Sequence, residues 1–271
     1  MSEESQQNII VTKRVVYEVP GLDTISVLKN VEYAATEHGS LKMDVYSPPD
    51  AEDGGRRPAV VFVTGYSDPG AEEMLGRKLK EWRALVSWAQ LVASSGMVGI
   101  TYENQDPVAD AQAVLRYIRQ NAASLRVDEE RIGVWASSGN VPNALGALIR
   151  EENRELRCAV LCYGFTFDEE GSTGVVDAAA QWGFANPCVG KSVDDLPPDL
   201  PLFVARAGRD ECAGLNDAMD RFVADALARN LPVTIVNHAA GPHAFDLFDD
   251  SETTRQIIRS ALSFLRFHLA V

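Results

Sequence analysis

Cysteine is scarce in this chain of 271 residues: Cys158, Cys162, Cys188 and Cys212 are all it has. None forms a Cys-x-x-Cys pair, and no His/Cys cluster has zinc-like spacing, so no structural metal and no cofactor of that kind is expected. Cys158 and Cys162 fall four apart in the apolar run Cys158-Ala-Val-Leu-Cys-Tyr163, which reads as a buried strand. Free thiols in a reducing compartment are the expectation. Positive charge is short as well. Only 25 Lys and Arg stand against 39 Asp and Glu, a formal net charge of −14, and the acids are spread along the whole chain. Such a surface lacks the basic face that nucleic acid or an anionic membrane needs. No apolar run approaches the length of a membrane span. Met1 to Asn8 is polar and acidic, without the charged and apolar regions of a secretion signal, so a cytoplasmic location is expected. Internal repeats and low-complexity segments are also missing, and nothing in the composition suggests disorder, collagen or a coiled coil.

What is present is a rhythm. Lys29 to Thr36 and Leu41 to Tyr46 alternate as strands around the turn Glu37-His-Gly-Ser40, a β-hairpin. Pro48-Pro49 through Gly54-Gly55 breaks the pattern. From Pro58 onward, short apolar strands alternate with helical stretches. The strands are Ala59 to Thr64, Val98 to Tyr102, Arg131 to Ala136, Arg157 to Tyr163, Pro201 to Ala207 and Val233 to Asn237. The helices are Leu75 to Ser94, Val108 to Ala122, Asn143 to Glu152, Asn216 to Ala228 and about Glu252 to Leu269. This order implies one α/β domain over residues 1–271, with a mostly parallel central sheet, helices on both faces and the antiparallel hairpin at one edge. Two segments interrupt it. Tyr66 to Gly76 follows the first parallel strand, and Gly164 to Pro198, rich in Gly, Asp and Pro, sits at the carboxyl end of another. Ligand clefts of α/β sheets lie there, so residues 164–198 read as a small cap insertion over a site. A surface excursion without substrate contact is the alternative.

The stretch Arg131-Ile-Gly-Val-Trp-Ala-Ser-Ser-Gly-Asn140 carries the chemistry. A serine on a strand-to-helix turn projects its hydroxyl beside the free N–H groups of the helix start, the geometry of a nucleophile that develops an oxyanion. Choosing Ser138 puts Ala136 and Asn140 two residues to either side, where small groups are needed. Choosing Ser137 would put Trp135 there. Ser138 is therefore the nucleophile candidate, with a structural N-cap serine as the alternative. Of four histidines, His243 in Gly241-Pro-His-Ala-Phe245 lies between the last strand and the last helix and is the base candidate. His238 is the reserve, and His38 and His268 occupy ordinary positions. Asp210, just past a strand in Ala207-Gly-Arg-Asp-Glu211, is the orienting acid, with Glu211 a weaker competitor. The backbone N–H groups of Tyr66, in Val63-Thr-Gly-Tyr-Ser67, and of Gly139 are the oxyanion candidates, a plain glycine turn being the alternative for the former. Trp182 and Phe184 are candidate substrate-pocket walls, or equally core residues.

Taken together these residues resemble the α/β-hydrolase fold, in particular its esterase and dienelactone-hydrolase-like branches. The resemblance covers nearly the whole chain. Pro58-Ala-Val-Val-Phe-Val-Thr-Gly65 resembles the strand entering the family's oxyanion loop, Leu202-Phe-Val-Ala-Arg-Ala-Gly-Arg-Asp210 its acid strand and Gly241-Pro-His-Ala-Phe-Asp246 its histidine loop. The nucleophile, acid and histidine follow in that chain order in the family, as Ser138, Asp210 and His243 do here. The chain departs from the pattern at Ala136 and Asn140, where the family has glycines, and at Thr64-Gly65-Tyr66, where a His-Gly is usual. Dienelactone hydrolases use cysteine where this chain has Ser138. The resemblance implies a serine hydrolase acting on a small-molecule carboxylic ester through an acyl-enzyme, with no metal or organic cofactor. Asn140 and the altered oxyanion loop motivate a second reading, a non-catalytic ligand-binding or interaction protein of the same fold. A small peptidase would use the same residues. A homodimer is common among such folds, though no residue here argues for one.

Overall fold

The computed structural model describes residues 11–37, 39–49, 55–169 and 174–271. His38, the Met1–Asn8 stretch, and parts of the Pro/Gly break and of the 164–198 segment lie outside the described residues.

Eight strands form one sheet: β1 (Ser26–Thr36), β2 (Gly39–Ser47), β3 (Arg57–Phe62), β4 (Val98–Tyr102), β5 (Val127–Ser137), β6 (Cys158–Cys162), β7 (Leu202–Arg209) and β8 (Val233–Pro242). Their spatial order is β1-β2-β4-β3-β5-β6-β7-β8. β1 and β2 pair antiparallel, as do β2 and β4, while every pair from β4 through β8 is parallel. Because these strands run parallel, the carboxyl ends of β3, β5, β7 and β8 share one rim, and the reversal of strand order around β3 is where such sheets leave a crevice.

Both faces of the sheet are covered, which is why the central strands read as continuous apolar runs rather than alternating ones. Along β3, Ala59 and Val61 enter one core and Val60 and Phe62 the other. On the first face pack α3 (Pro107–Gln120), α5 (Val141–Leu148) and α7 (Leu215–Ala228), through Leu115, Leu145 and Phe222 among others. On the second pack α2 (Arg83–Ser94) and α9 (Glu252–His268), through Leu91, Ile258 and Leu265. The remaining helices are α1 (Asp68–Leu75), the short α4 (Ala122–Leu125), α6 (Val175–Trp182) and the single turn α8 (Phe245–Phe248). The helix starts follow from capping chemistry. Asp106 accepts the Val108 and Ala109 N–H groups at the head of α3, with Pro107 in its first turn, and Ser251 accepts that of Thr254 at the head of α9.

One expected element is shortened. The helix expected over Leu75 to Ser94 begins only at Arg83: Leu75 is the last residue of α1, and a 3-10 turn at Leu79–Glu81 lies between. Gly76 closes α1 in the left-handed conformation at φ 70°. Asp68 then draws the chain back by accepting the Leu79 N–H at 2.8 Å. The turn also buries Lys80, only 2% exposed, between Asp44 and Glu103 at 3.1 and 3.2 Å. All four cysteines are free thiols.

Candidate active site

β5 ends at Ser137, and the chain turns sharply into a 3-10 turn, Ser138–Asn140, before α5. Ser138 takes φ 55°, a left-handed conformation that costs a non-glycine residue about 1–3 kcal/mol. The turn closes only because its neighbours are small. A Cβ on Gly164 would lie 2.7 Å from the Ser138 carbonyl oxygen and 2.6 Å from Val141 Cβ. A Cβ on Gly139 would lie 2.8 Å from the Phe184 ring and run into the Tyr66 hydroxyl.

His243 follows the end of β8 and brings Nε2 to 2.9 Å from Ser138 Oγ. Its Nδ1 lies 2.6 Å from Asp210 Oδ2, just beyond the end of β7. A carboxylate only accepts, so Nδ1 carries the proton and donates to Asp210. In the neutral ring the Nε2 lone pair then faces the serine hydroxyl. Burial draws His243 toward its neutral form, but the Asp210 carboxylate, joined by the Cys212 thiol, outweighs it and lifts the imidazole to about 9. Burial in turn pushes Asp210 up, and the hydrogen bond from His243 prevails and holds it below the usual carboxylate range. The Asp210 side chain is fully buried, while that of His243 is 31% exposed on the site side. The Cys212 N–H donates to the other carboxylate oxygen, Oδ1, at 3.0 Å. Tyr163 closes the far side of the imidazole edge-on, ring centroids 5.3 Å apart. It is fixed there by donating to the buried Asp246 at 2.5 Å, which also accepts from Trp88 Nε1 at 2.7 Å.

The loop after β3 is held in place by three asparagines, two from this turn and the start of α5 and one from the end of β4. Asn140 Oδ1 accepts the Gly65 N–H at 2.7 Å. Asn143 Nδ2 donates to the Thr64 carbonyl at 2.8 Å and to that of Pro107 at 2.7 Å. Asn104 Nδ2 donates to Thr64 Oγ1 and to the Tyr66 carbonyl, each at 3.0 Å. Gly65 has no room for a side chain, since its Cβ would meet Asn140 Cα at 3.0 Å. Among the described residues the Tyr66 N–H has no hydrogen-bond acceptor. The Gly139 N–H lies in the first turn of the helical segment, where backbone donors lack intrahelical partners.

The 164–198 segment crosses both loops. The Ala185 N–H donates to the Gly65 carbonyl at 2.7 Å, and Cys188 Sγ donates to that of Pro142 at 3.1 Å. Phe184, 5% exposed, stacks on Phe165 at 5.5 Å and meets Tyr66 edge-on at 6.1 Å. Trp182 ends α6, is 55% exposed and has no ring contact among the described residues. His238 is buried between Asp249 at 2.7 Å and Thr254 at 3.0 Å and among the described residues makes no hydrogen bond to Ser138, and Glu211 is exposed. The structure thus brings Ser138, Asp210, His243, Tyr66, Gly139 and Phe184 together and leaves Trp182 at the surface. Asn104, Asn143, Tyr163 and Asp246 are participants that the sequence reading passed over. Asp246 closes the histidine-loop motif without having been given a role, and no motif marks the other three, although each lies at a strand end or a helix start.

No protein-family model matches the chain, and no curated protein sequence matches it. Solved structures do. A thermostable esterase from Pseudomonas putida superposes with a TM-score of 0.71 at 17% identity, over 94% of this chain and 86% of the other. A thermophilic esterase from the Planctomycetes species Thermogutta terrifontis superposes at 0.64 and 18% identity, over 92% and 94%. The same Thermogutta esterase phosphoramylated by tabun gives 0.65 at 18%. No helix among the described residues is long and apolar enough to cross a membrane. Strand order, the antiparallel edge, the two-faced helical packing and these superpositions agree on one architecture: the chain has the α/β-hydrolase fold.

Proposed function

We propose that the protein is a serine hydrolase that cleaves the carboxylic ester of a small molecule through an acyl-enzyme intermediate. The observation that carries this reading is the unbroken relay from Ser138 Oγ through His243 to the buried Asp210, with the serine held left-handed at a strand-to-helix turn. In this reading Ser138 Oγ attacks the ester carbonyl and passes its proton to His243 Nε2. Asp210 stabilises the imidazolium so formed, and the Tyr66 and Gly139 N–H groups take the developing oxyanion. His243 returns the proton to the departing alcohol. A water molecule then repeats the sequence on the acyl-enzyme and frees the acid.

Residues 164–198 serve as the cap over the pocket, with Phe184 as its inner wall. Asn140 was the motive for a non-catalytic reading. Its bond to Gly65 supports the active one, because the added bulk ties the oxyanion loop to the nucleophile turn. The Thermogutta neighbour with bound propionate adds a short acyl group as the first substrate to try. A cytoplasmic setting, in which the four thiols stay free, completes the reading. The test is labelling by a fluorophosphonate with peptide mapping. Label on Ser138, lost in Ser138→Ala together with ester turnover, is expected, since such removals cost about 10⁴–10⁶ in rate. A folded, unlabelled native chain sinks the proposal.

A further inference from the structure

The Cys212 thiol carries no proton between Ser138 and His243, yet it lies against the relay and touches both His243 and Asp210. Sγ is 3.9 Å from His243 Nδ1, and Sγ, Nδ1 and an Asp210 carboxylate oxygen all lie within 4.8 Å of one another. Thiolate, imidazole and carboxylate are the ligand types of tetrahedral zinc sites. With a Zn–S bond of about 2.3 Å and a Zn–N bond of about 2.05 Å, tetrahedral coordination puts sulfur and nitrogen about 3.5 Å apart. The sulfur and Nδ1 are therefore within half an ångström or so of a ligating separation. Nδ1 and the carboxylate oxygen, now 2.6 Å apart, must open to about 3.4 Å. Cys212 and His243 are the partly exposed members of the cluster, so a cation has a side from which to enter. Cys158, Cys162 and Cys188 are buried, which leaves Cys212 as the cysteine open to such an ion.

We propose that Asp210, Cys212 and His243 form an inhibitory site for a thiophilic divalent cation of the zinc class. Binding releases the Cys212 thiol proton to solvent, together with one ring proton where His243 is protonated, and a water molecule takes the fourth position. The cation bonds to the Nδ1 lone pair, so the one proton left on the ring sits on Nε2. Nε2 then donates to Ser138 Oγ and can no longer receive its proton. The base is disabled without blocking the pocket. The inhibition rests on the esterase reading, whereas the binding does not.

The test uses the intact chain with zinc chloride and, as a spectroscopic probe, cadmium chloride. Calorimetry should show one zinc ion per chain, in the native protein and in Ser138→Ala alike. Cadmium should give a thiolate-to-metal charge-transfer band that Cys212→Ala lacks. Since losing an outer-sphere partner already weakens metal sites about 10–100-fold, losing this ligand should weaken zinc binding at least about ten-fold. In Cys212→Ala, p-nitrophenyl acetate turnover should persist and resist zinc. In the native chain zinc should suppress turnover and EDTA restore it. Equal zinc affinity and inhibition in native and Cys212→Ala overturns the proposal, as does the lack of binding by the native chain. One-to-one binding that needs Cys212, in a chain that hydrolyses no ester, supports the site and sinks the esterase reading alone.

Discussion

Replacing Asn140 by alanine removes the acceptor of the Gly65 N–H and nothing else that the oxyanion loop uses. Gly65 is buried, so its N–H loses its partner in a place that water reaches poorly. An unsatisfied donor of that kind costs about 1–3 kcal/mol. Asn140 itself is half-buried, which favours the lower half of that range. For a domain of this size about 1–2 kcal/mol lowers Tm by roughly 2–6 °C. The catalytic effect is larger than the structural one. Losing one oxyanion donor outright costs about 10²–10³ in kcat. Here the Tyr66 N–H is displaced rather than deleted, because Asn104 and Asn143 still hold Thr64 and the Tyr66 carbonyl. A fall in kcat of about 10- to 100-fold with KM nearly unchanged is expected, the signature of an interaction made mainly in the transition state. Asn140→Asp keeps an acceptor oxygen and should fall less. The assay is steady-state hydrolysis of p-nitrophenyl acetate beside a thermal melt of each variant. An Asn140→Ala enzyme with native kcat and native Tm would refute the reasoning. So would an Asn140→Asp enzyme impaired as deeply as the alanine variant.

Three further outcomes follow from the same geometry. Asp210 favours protonated His243, with the imidazole lifted to about 9, and only the neutral ring accepts the serine proton. Hence kcat/KM should rise with pH through that midpoint and be lost below it, and a flat profile from roughly pH 6 to roughly pH 10 would contradict a histidine base. Asp210→Asn should move the midpoint to lower pH and cut kcat by about 10⁴. Gly164→Ala, which forces a methyl against the Ser138 carbonyl, should cost about 1–3 kcal/mol and slow fluorophosphonate labelling, as melts and labelling rates would show. Phe184→Ala should destabilise by about 3–5 kcal/mol and raise the butyrate-to-acetate ratio of kcat/KM, whereas an unchanged ratio would remove Phe184 from the pocket wall.

The parallel core was legible because strands buried on both faces must be apolar throughout, and Val98 to Tyr102 was bounded as found. Ser138 was legible by elimination, since Trp135 does not fit where the turn needs a small residue. His243 and Asp210 were legible from their places after strands. Helix ends were harder. The α1–α2 break depends on Asp68 reaching Leu79 and on Lys80 finding two carboxylates, contacts remote from the local periodicity. The asparagine clamp was invisible for the same reason. Asn104 follows β4 whereas Asn140 and Asn143 stand at the turn into α5, remote in sequence from the loop they hold, and any one of them reads as an ordinary cap or turn residue. Asn140 even read as an obstacle, because a sequence shows the size of a side chain but not the donor waiting for it. Trp182 and Phe184, two positions apart, read alike as pocket walls, yet only Phe184 turns inward, because the left-handed Gly183 between them redirects the chain.

The left-handed backbone at Ser138 has an evolutionary side. At that one position, selection for durability and selection for chemistry favour different residues. Glycine would sit there unstrained, and Ser138→Gly should leave a chain at least as stable as the native one and catalytically dead. A lineage in which the proposed activity ceased to matter would thus meet no folding barrier to discarding the proposed nucleophile and would drift readily into an inert homologue. Ser138 shares its left-handed backbone with six other non-glycine residues among those described, and what sets it apart is the hydroxyl it holds 2.9 Å from an imidazole nitrogen.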